Sequence, residues 1–216
     1  MQPANTPTVT LDHVRAALAL NAFDAGAAQL AMAPNPRGIR AIPRETPPRQ
    51  AAVLALLYPE NDALHVLLTR RPASLRDHSG QVSFPGGKRD PHDASFTATA
   101  LREACEELGL CDLPIQVLGH LTPLYIPPSH FEVHPVVAAL DALPQVRPNP
   151  IEVDEVFSLA LADLLDARLK SHETQHFNGV DIHIPYYAVN GHKVWGATAI
   201  MLSELEYRLR AVLPGG

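Results

Sequence analysis

Glu103, Glu106 and Glu107 stand at i, i+3 and i+4 in the run REACEELG, residues 102–109. On a helix that spacing gathers three carboxylates on one face, about one turn apart. Like charges so placed repel by roughly 0.2–0.5 kcal/mol per pair, a cost that a bound cation removes. Hard divalent ions such as Mg²⁺ or Mn²⁺ take oxygen ligands and leave coordination places for substrate phosphates. The chemistry such a face supports is metal-assisted attack of water on a phosphoryl group. Two other residue types strengthen the pattern. Gly86 and Gly87 allow a tight backbone turn close to the helix or its ions, and Arg102 is placed to hold a carboxylate, with Glu106 four residues on. For the bare triplet, a solvated acidic helix face remains the plain alternative.

The elements that must position these residues follow from pattern. Asp93 is a candidate N-cap, and the helix is predicted from about Ala94 to Leu108, closed by Gly109. Leu101, Ala104, Cys105 and Leu108 form its expected buried stripe, with the acids opposite. Upstream, the apolar run Ala52–Tyr58 predicts a buried strand, and Leu64–Thr69 its antiparallel partner across a turn at 59–62. A short strand, Gln81–Phe84, leads into Pro85-Gly86-Gly87. Downstream, Ile115–Leu121, Val133–Ala139 and Val153–Leu159 read as strands, the last followed by a short helix, Leu161–Arg168. Residues 122–132, with three prolines and Tyr125, read as a long stiff binding loop. Val180–Val189 and Lys193–Trp195 form a predicted hairpin about Asn190-Gly191, and a helix from Ala197 to about Val212 ends the chain.

Residues 1–50 read as an extension: a helix capped by Thr10, with Leu11, Val14 and Leu18 on one face, then a Pro- and Arg-punctuated strap from Pro34 to Arg49. Residues 51–216 read as one α/β domain of layered sheet and helices. A net charge of −6 argues against a nucleic-acid binder with a broad basic surface. No apolar run reaches the ~20 residues of a membrane span, and the N-terminus lacks the pattern of a signal peptide. Cys105 and Cys111, at C-x5-C spacing, suit neither a zinc site nor a redox pair and read as core thiols. None of the eleven histidines falls in H-x-x-x-H or H-E-x-x-H, so none is assigned to chemistry. The expected setting is the cytoplasm.

The larger pattern resembles the signature of the Nudix hydrolases, G-x5-E-x7-R-E-U-x-E-E-x-G-U, where U is a bulky aliphatic. Residues 102–110, REACEELGL, match its second half, with Ala104 at the first U. Between Gly87 and Arg102 the chain is one residue longer than the signature, and Asp93 is the acid nearest the place of its first glutamate. Leu67 to Gly87, LLTRRPASLRDHSGQVSFPGG, resembles the coenzyme A pyrophosphatase branch, LLT-x-R-S-x3-R-x3-G-x3-FPGG. Leu67, Leu68, Thr69, Arg71, Arg76, Gly80, Phe84, Pro85, Gly86 and Gly87 match, and Pro72 stands where serine is usual. Weaker likenesses to that branch run through residues 125–137, 152–161 and 194–199.

The resemblance implies a Nudix fold, a mixed β-sheet between α-helices, here with an N-terminal helical extension. It implies Mg²⁺- or Mn²⁺-dependent cleavage of coenzyme A, or its acyl derivatives, to 4′-phosphopantetheine and adenosine 3′,5′-bisphosphate. Other nucleoside diphosphate derivatives (ADP-ribose, NADH) and a weakly catalytic nucleotide-sensing domain are the alternatives. Glu103, Glu106 and Glu107 are the implied metal ligands, with Arg102 beside them. Arg71 and Arg76 are candidates for phosphate pairing or for fold-stabilising ion pairs; since Arg70 and Arg71 alternate along the strand, one of them points away. The water-activating base is Glu103 or a later acid, for which Glu152 is the candidate, or else a loop acid at a strand start. Tyr125 lines a pocket or simply packs. The partner is a small anionic substrate of the coenzyme A class, and a homodimer is possible through a terminal helix.

Overall fold

The apolar run at residues 51–58 becomes the middle of the central strand because both of its faces can be buried. In the computed structural model, which describes residues 7–36, 45–73 and 80–214, this strand, β1, spans Arg49–Glu60. Its side chains alternate between two cores. Ala52, Leu54, Leu56 and Tyr58 enter one, and Ala51, Ala55 and Leu57 the other. This is the period-two partition of a strand covered on both sides.

Among the described residues, β1 sits inside a mixed sheet. β2 (Ala63–Arg70) returns antiparallel across Asn61 and Asp62, whose φ values of 49° and 61° are the left-handed backbone pair that fits a two-residue hairpin to the twist of its strands. β3 (Val82–Ser83) pairs with β2, and β4 (Gly86–Lys88) pairs with β1 at Ala51–Val53. Helix α3 (Phe96–Leu108) then follows, after α1 (Leu11–Leu18) and α2 (Ala25–Leu30) of the N-terminal region. β5 (Gln116–His120) and β6 (Leu124–Ile126) pair with β7 (Phe131–Ala139), which runs parallel to β1. β8 (Glu155–Ala160) pairs with the free side of β2. A second, three-stranded antiparallel sheet holds β9 (Lys170–Phe177), β10 (Val180–Val189) and β11 (His192–Trp195). The sheet lies between α3 on one face and α1, α2 and α5 (Gly196–Val212) on the other, so the mixed sheet between helices is the observed architecture.

α1 (Leu11–Leu18) is capped by Thr10, and α2 (Ala25–Leu30) by Asp24. Residues 7–36 join the core rather than trailing from it: Val9, Val14, Ala17 and Met32 are buried with α5. The fastening is polar and buried. Ser203 donates to the Ala28 carbonyl at 2.7 Å, and Arg208 to that of Ala17 at 3.3 Å. Fully buried Glu204 accepts from Arg208 Nε at 2.9 Å, Thr122 Oγ1 at 2.8 Å and Gln29 Nε2 at 3.0 Å. Residues 37–44, part of the predicted strap, lie outside the described residues.

Several expectations are corrected. Residues 122–132 are not a long loop; β6 and the turn at 127–130 make them a hairpin, because His130, at φ 55°, lets the chain reverse at once. The predicted helix at 161–168 divides into α4 (Leu161–Leu164) and a 3-10 turn at Ala167–Leu169, started by Asp166. Cys105 and Cys111 are disulfide-bonded rather than free core thiols. Gly109, at φ 71°, turns the chain back over the last helical turn and leaves their Cα atoms 4.5 Å apart, within the range a disulfide requires.

Removing Glu204 leaves Arg208 buried without its counter-charge. Glu204→Ala is therefore expected to lower stability by about 3–5 kcal/mol, read as a fall in the urea midpoint at unchanged m.

Candidate active site

α3 spans Phe96–Leu108, with Ser95 as its N-cap: the Ser95 side chain accepts from the Ala98 N–H at 3.1 Å. Asp93 is thus not the cap predicted for it. It lies before the helix and takes both ends of the Arg102 guanidinium, Nε to Oδ1 and Nη2 to Oδ2, each at 3.0 Å. That fork-to-fork pair holds the Asp93 carboxyl far below the usual carboxylate range and makes Arg102 harder still to deprotonate. Arg102 also reaches Glu103 at 2.9 Å, Glu106 at 3.1 Å and the Lys88 carbonyl at 3.1 Å. One guanidinium therefore ties the acidic face of α3 to the end of β4.

The buried stripe of α3 is rotated from the predicted one. Thr99, Ala100, Ala104 and Leu108 are buried, and so is Glu107 at 4% exposure, whereas Leu101 and Cys105 are only partly so. Small residues at 100 and 104 let α3 settle close to β1, and the acids lie beside the core stripe instead of opposite it. Glu103 and Glu107 consequently face β4. A Cβ on Gly87 would fall 2.6 Å from Glu103 Cδ, and one on Gly86, at φ 154°, 2.6 Å from Val53 Cα. Gly86 has no room for any side chain, and one at Gly87 would displace the Glu103 carboxylate.

The electrostatics follow from this crowding. Burial, then the charges of Glu152 and Glu103, push the Glu107 carboxyl up to about 8, against the opposing pull of Arg71 and a hydrogen bond from the Gly86 N–H. Burial also raises Glu103, with Glu106 and Glu152 adding to it and Arg102 opposing. Glu103, Glu107 and Glu152 thus feel one another, although they come from the helix and from a segment about fifty residues later. Glu106 is 55% exposed and bound to Arg102.

The segment carrying Glu152 is fastened to the end of α3. Asn149 N–H donates to the Glu107 carbonyl at 2.8 Å and Arg147 N–H to that of Leu108 at 2.7 Å. Asn149 Nδ2 donates to Glu152 Oε1 at 3.2 Å, and its own Oδ1 accepts from the Ile151 N–H at 3.1 Å. Asn149 was not singled out from the sequence, where Asn-Pro marks only a turn. Arg70 pairs with Asp154 at 2.6 Å and Glu155 at 2.9 Å, fixing the start of β8 just beyond Glu152. Arg71 turns the other way, toward Glu107, and its buried Nε has no hydrogen-bond partner among the described residues. The two arginines diverge, as strand alternation requires.

Other candidates are elsewhere. Arg76 lies outside the described residues. Tyr125, 44% exposed on the β6–β7 hairpin, is hydrogen-bonded to His130 Nδ1 at 3.0 Å and to no carboxylate of this cluster. Among the described residues no three acid, imidazole or thiol groups converge closely enough to enclose an ion as they stand; Arg102 draws Glu103 and Glu106 to itself. The donor set nonetheless fits a hard divalent cation: oxygen-only, crowded and costly to ionise without positive charge. The orphaned Arg71 Nε beside it is a donor awaiting an anion. No helix among the described residues is long and apolar enough to cross a membrane.

Comparison with known proteins identifies the family of the chain. The NUDIX domain family model matches residues 48–179. The chain is 42% identical over 173 residues to a human protein named mitochondrial coenzyme A diphosphatase NUDT8, covering 78% of this chain and 71% of that one. It is 38% identical over 145 residues to a Nudix hydrolase of Photorhabdus laumondii, NudL, named as uncharacterized, covering 67% of this chain and 77% of that one. Among solved structures, a NUDIX hydrolase from Alicyclobacillus acidocaldarius matches at a TM-score of 0.49 and 22% identity, over 56% of this chain and 83% of that one. With more than half of its length matched to the family model, the chain belongs to the NUDIX family of hydrolases.

Proposed function

We propose that this Nudix hydrolase cleaves the pyrophosphate bond of coenzyme A or its acyl derivatives, giving 4′-phosphopantetheine (or its acyl form) and adenosine 3′,5′-bisphosphate. The observation that carries the reading is the buried Glu107, crowded by Glu103 and Glu152, next to an arginine with an unpartnered Nε and a turn with space for glycine alone. Such a site is built for an anion that arrives together with positive charge. The coenzyme A class is favoured by the LLT…FPGG run at 67–87 and by the relative named as a coenzyme A diphosphatase.

In this reading Glu103, Glu106 and Glu107 hold Mg²⁺ or Mn²⁺, with Glu152 within their field. The bound ion supplies charge neutralisation of the phosphoryl oxygens and a lowered pKa for a coordinated water. Arg102 keeps Glu103 and Glu106 oriented while itself clamped by Asp93. Arg71 binds a phosphate oxygen through its free Nε, and Arg76 is a second candidate for that task. Gly86 and Gly87 bring backbone to the reacting phosphate without a Cβ in the way. Glu152, tethered by Asn149, takes the proton of the attacking water.

Purified protein with Mg²⁺ or Mn²⁺ is expected to release adenosine 3′,5′-bisphosphate from coenzyme A, followed by chromatography across a panel that includes ADP-ribose and NADH. Much faster turnover of either alternative would overturn the coenzyme A reading. In the same assay Glu103→Gln and Glu107→Gln are each expected to lower kcat by about 100-fold or more; unchanged rates in folded variants would remove those residues from the mechanism.

Glu107 also predicts a pH dependence of stability without metal. Its folded value, about 8, lies above its unfolded one, so between the two the folded state holds a proton that the unfolded chain has released. The resulting stability is complete below the unfolded value and is lost as pH rises through about 8. In chelator-treated protein the urea midpoint is expected to fall between about pH 5 and pH 8.5, and Glu107→Gln to flatten that slope. Equal slopes in the two proteins would contradict the burial of an acid at this position.

A further inference from the structure

A second feature lies at the other end of α3 and takes no part in the carboxylate cluster. A cavity of about 380 Å³ is walled by Phe96, Thr97, His120, Pro123 and His134. Its walls are flat and held in place. The Phe96 and His134 rings stack with centroids 3.5 Å apart and planes 7° from parallel. Arg89 lies over the Phe96 ring, 4.8 Å from its centroid. His134 Nε2 is fixed by Gln50 Oε1 at 2.9 Å, with Glu132 at 3.3 Å. At the edge, Thr97 Oγ1 and exposed His120 Nε2 are 3.1 Å apart. A hydroxyl and an imidazole each donate or accept according to rotamer and tautomer.

That composition selects the occupant. Among the described residues no carboxylate or thiolate lines the cavity, and its two imidazoles are too few ligands for a metal ion. Aromatic and prolyl faces with a switchable hydrogen-bond pair at the rim suit a neutral planar heterocycle, which aromatic side chains bind by stacking. Position points the same way. Phe96 precedes Glu103 by seven residues, two helical turns on nearly the same stripe and roughly 10 Å along the axis. His134 sits opposite Ala52 in the β1–β7 register, and Ala52 pairs with Gly87. The cavity and the carboxylates therefore share one stretch of β1, and in coenzyme A the adenine is one ribose away from the pyrophosphate.

We propose that this cavity binds the adenine ring of the substrate, stacked on His134, which Phe96 backs from the other side, and hydrogen-bonded at its edge by Thr97 and His120. The inference rests on the site being a pyrophosphatase for an adenine-bearing ester.

The test titrates adenosine 3′,5′-bisphosphate, without metal, into the full chain and follows the imidazole resonances of His120 and His134 by NMR. Both are expected to shift, and His134→Ala to weaken Kd by about tenfold, the scale of one lost base stack. His120→Ala and Thr97→Val, at the rim and no threat to the fold, are expected to weaken it less. 4′-Phosphopantetheine, which has no base, is expected to leave both imidazoles unmoved. No binding, binding that leaves both imidazoles unshifted, or a Kd unchanged in all three variants would overturn the proposal. Should coenzyme A be hydrolysed while the imidazoles stay silent, the base site fails and the activity stands. Shifted imidazoles in a chain that leaves coenzyme A intact would uphold the base site and sink the activity.

Discussion

The site depends on how closely α3 is pressed against the turn at Gly86 and Gly87. Val53 and the Glu103 carboxylate occupy the space where side chains at those positions would go. The approach is permitted from the helix side by Ala100 and Ala104, both fully buried. Its consequence is electrostatic. Glu107 is carried below the surface together with its neighbours' charges, and a carboxylate in that position is stable only when protonated or when positive charge arrives. The crowding that makes the acids costly to ionise is what, in the proposed reading, would favour a cation beside them.

The rest of the structure supports that approach from outside. Arg102 binds Asp93, Glu103, Glu106 and the Lys88 carbonyl, so the helix face and the β4 end cannot separate without breaking several hydrogen bonds at once. The segment 147–153 is laced to the last turn of α3 through Arg147 and Asn149. This delivers Glu152 to a helix that is distant from it in sequence. On the opposite face of the sheet, Glu204 and Arg208 fasten α1 and α2 to α5, so the N-terminal residues form part of the platform under β1.

How much of this was legible follows from where each signal lives. β1, β2 and the β10–β11 hairpin were readable because their patterns are local: an apolar run, and Asn190-Gly191 between alternating strands. β9, KSHETQHF, was not, because it is polar on both faces and has no apolar period to betray it. The Asp93–Arg102 clamp was hidden by the extra residue between Gly87 and Arg102, which made Asp93 look like a cap while Ser95 took that place. The Cys105–Cys111 bond needed the left-handed turn at Gly109 to bring the two together. The three acids of α3 were visible from spacing alone; the burial of Glu107 was not, since it depends on a helix rotation set by Ala100 and Ala104. The Phe96–His134 stack required the parallel β1–β7 register, which no local pattern announces.

The most direct measurement of the central claim is the number of protons released when Mn²⁺ is titrated into metal-free protein near pH 7, read by calorimetry in buffers of differing ionisation enthalpy. With Glu107 at about 8, the account predicts release of about one proton per ion bound, lost in Glu107→Gln. Binding without proton release, or no binding at all, would contradict it.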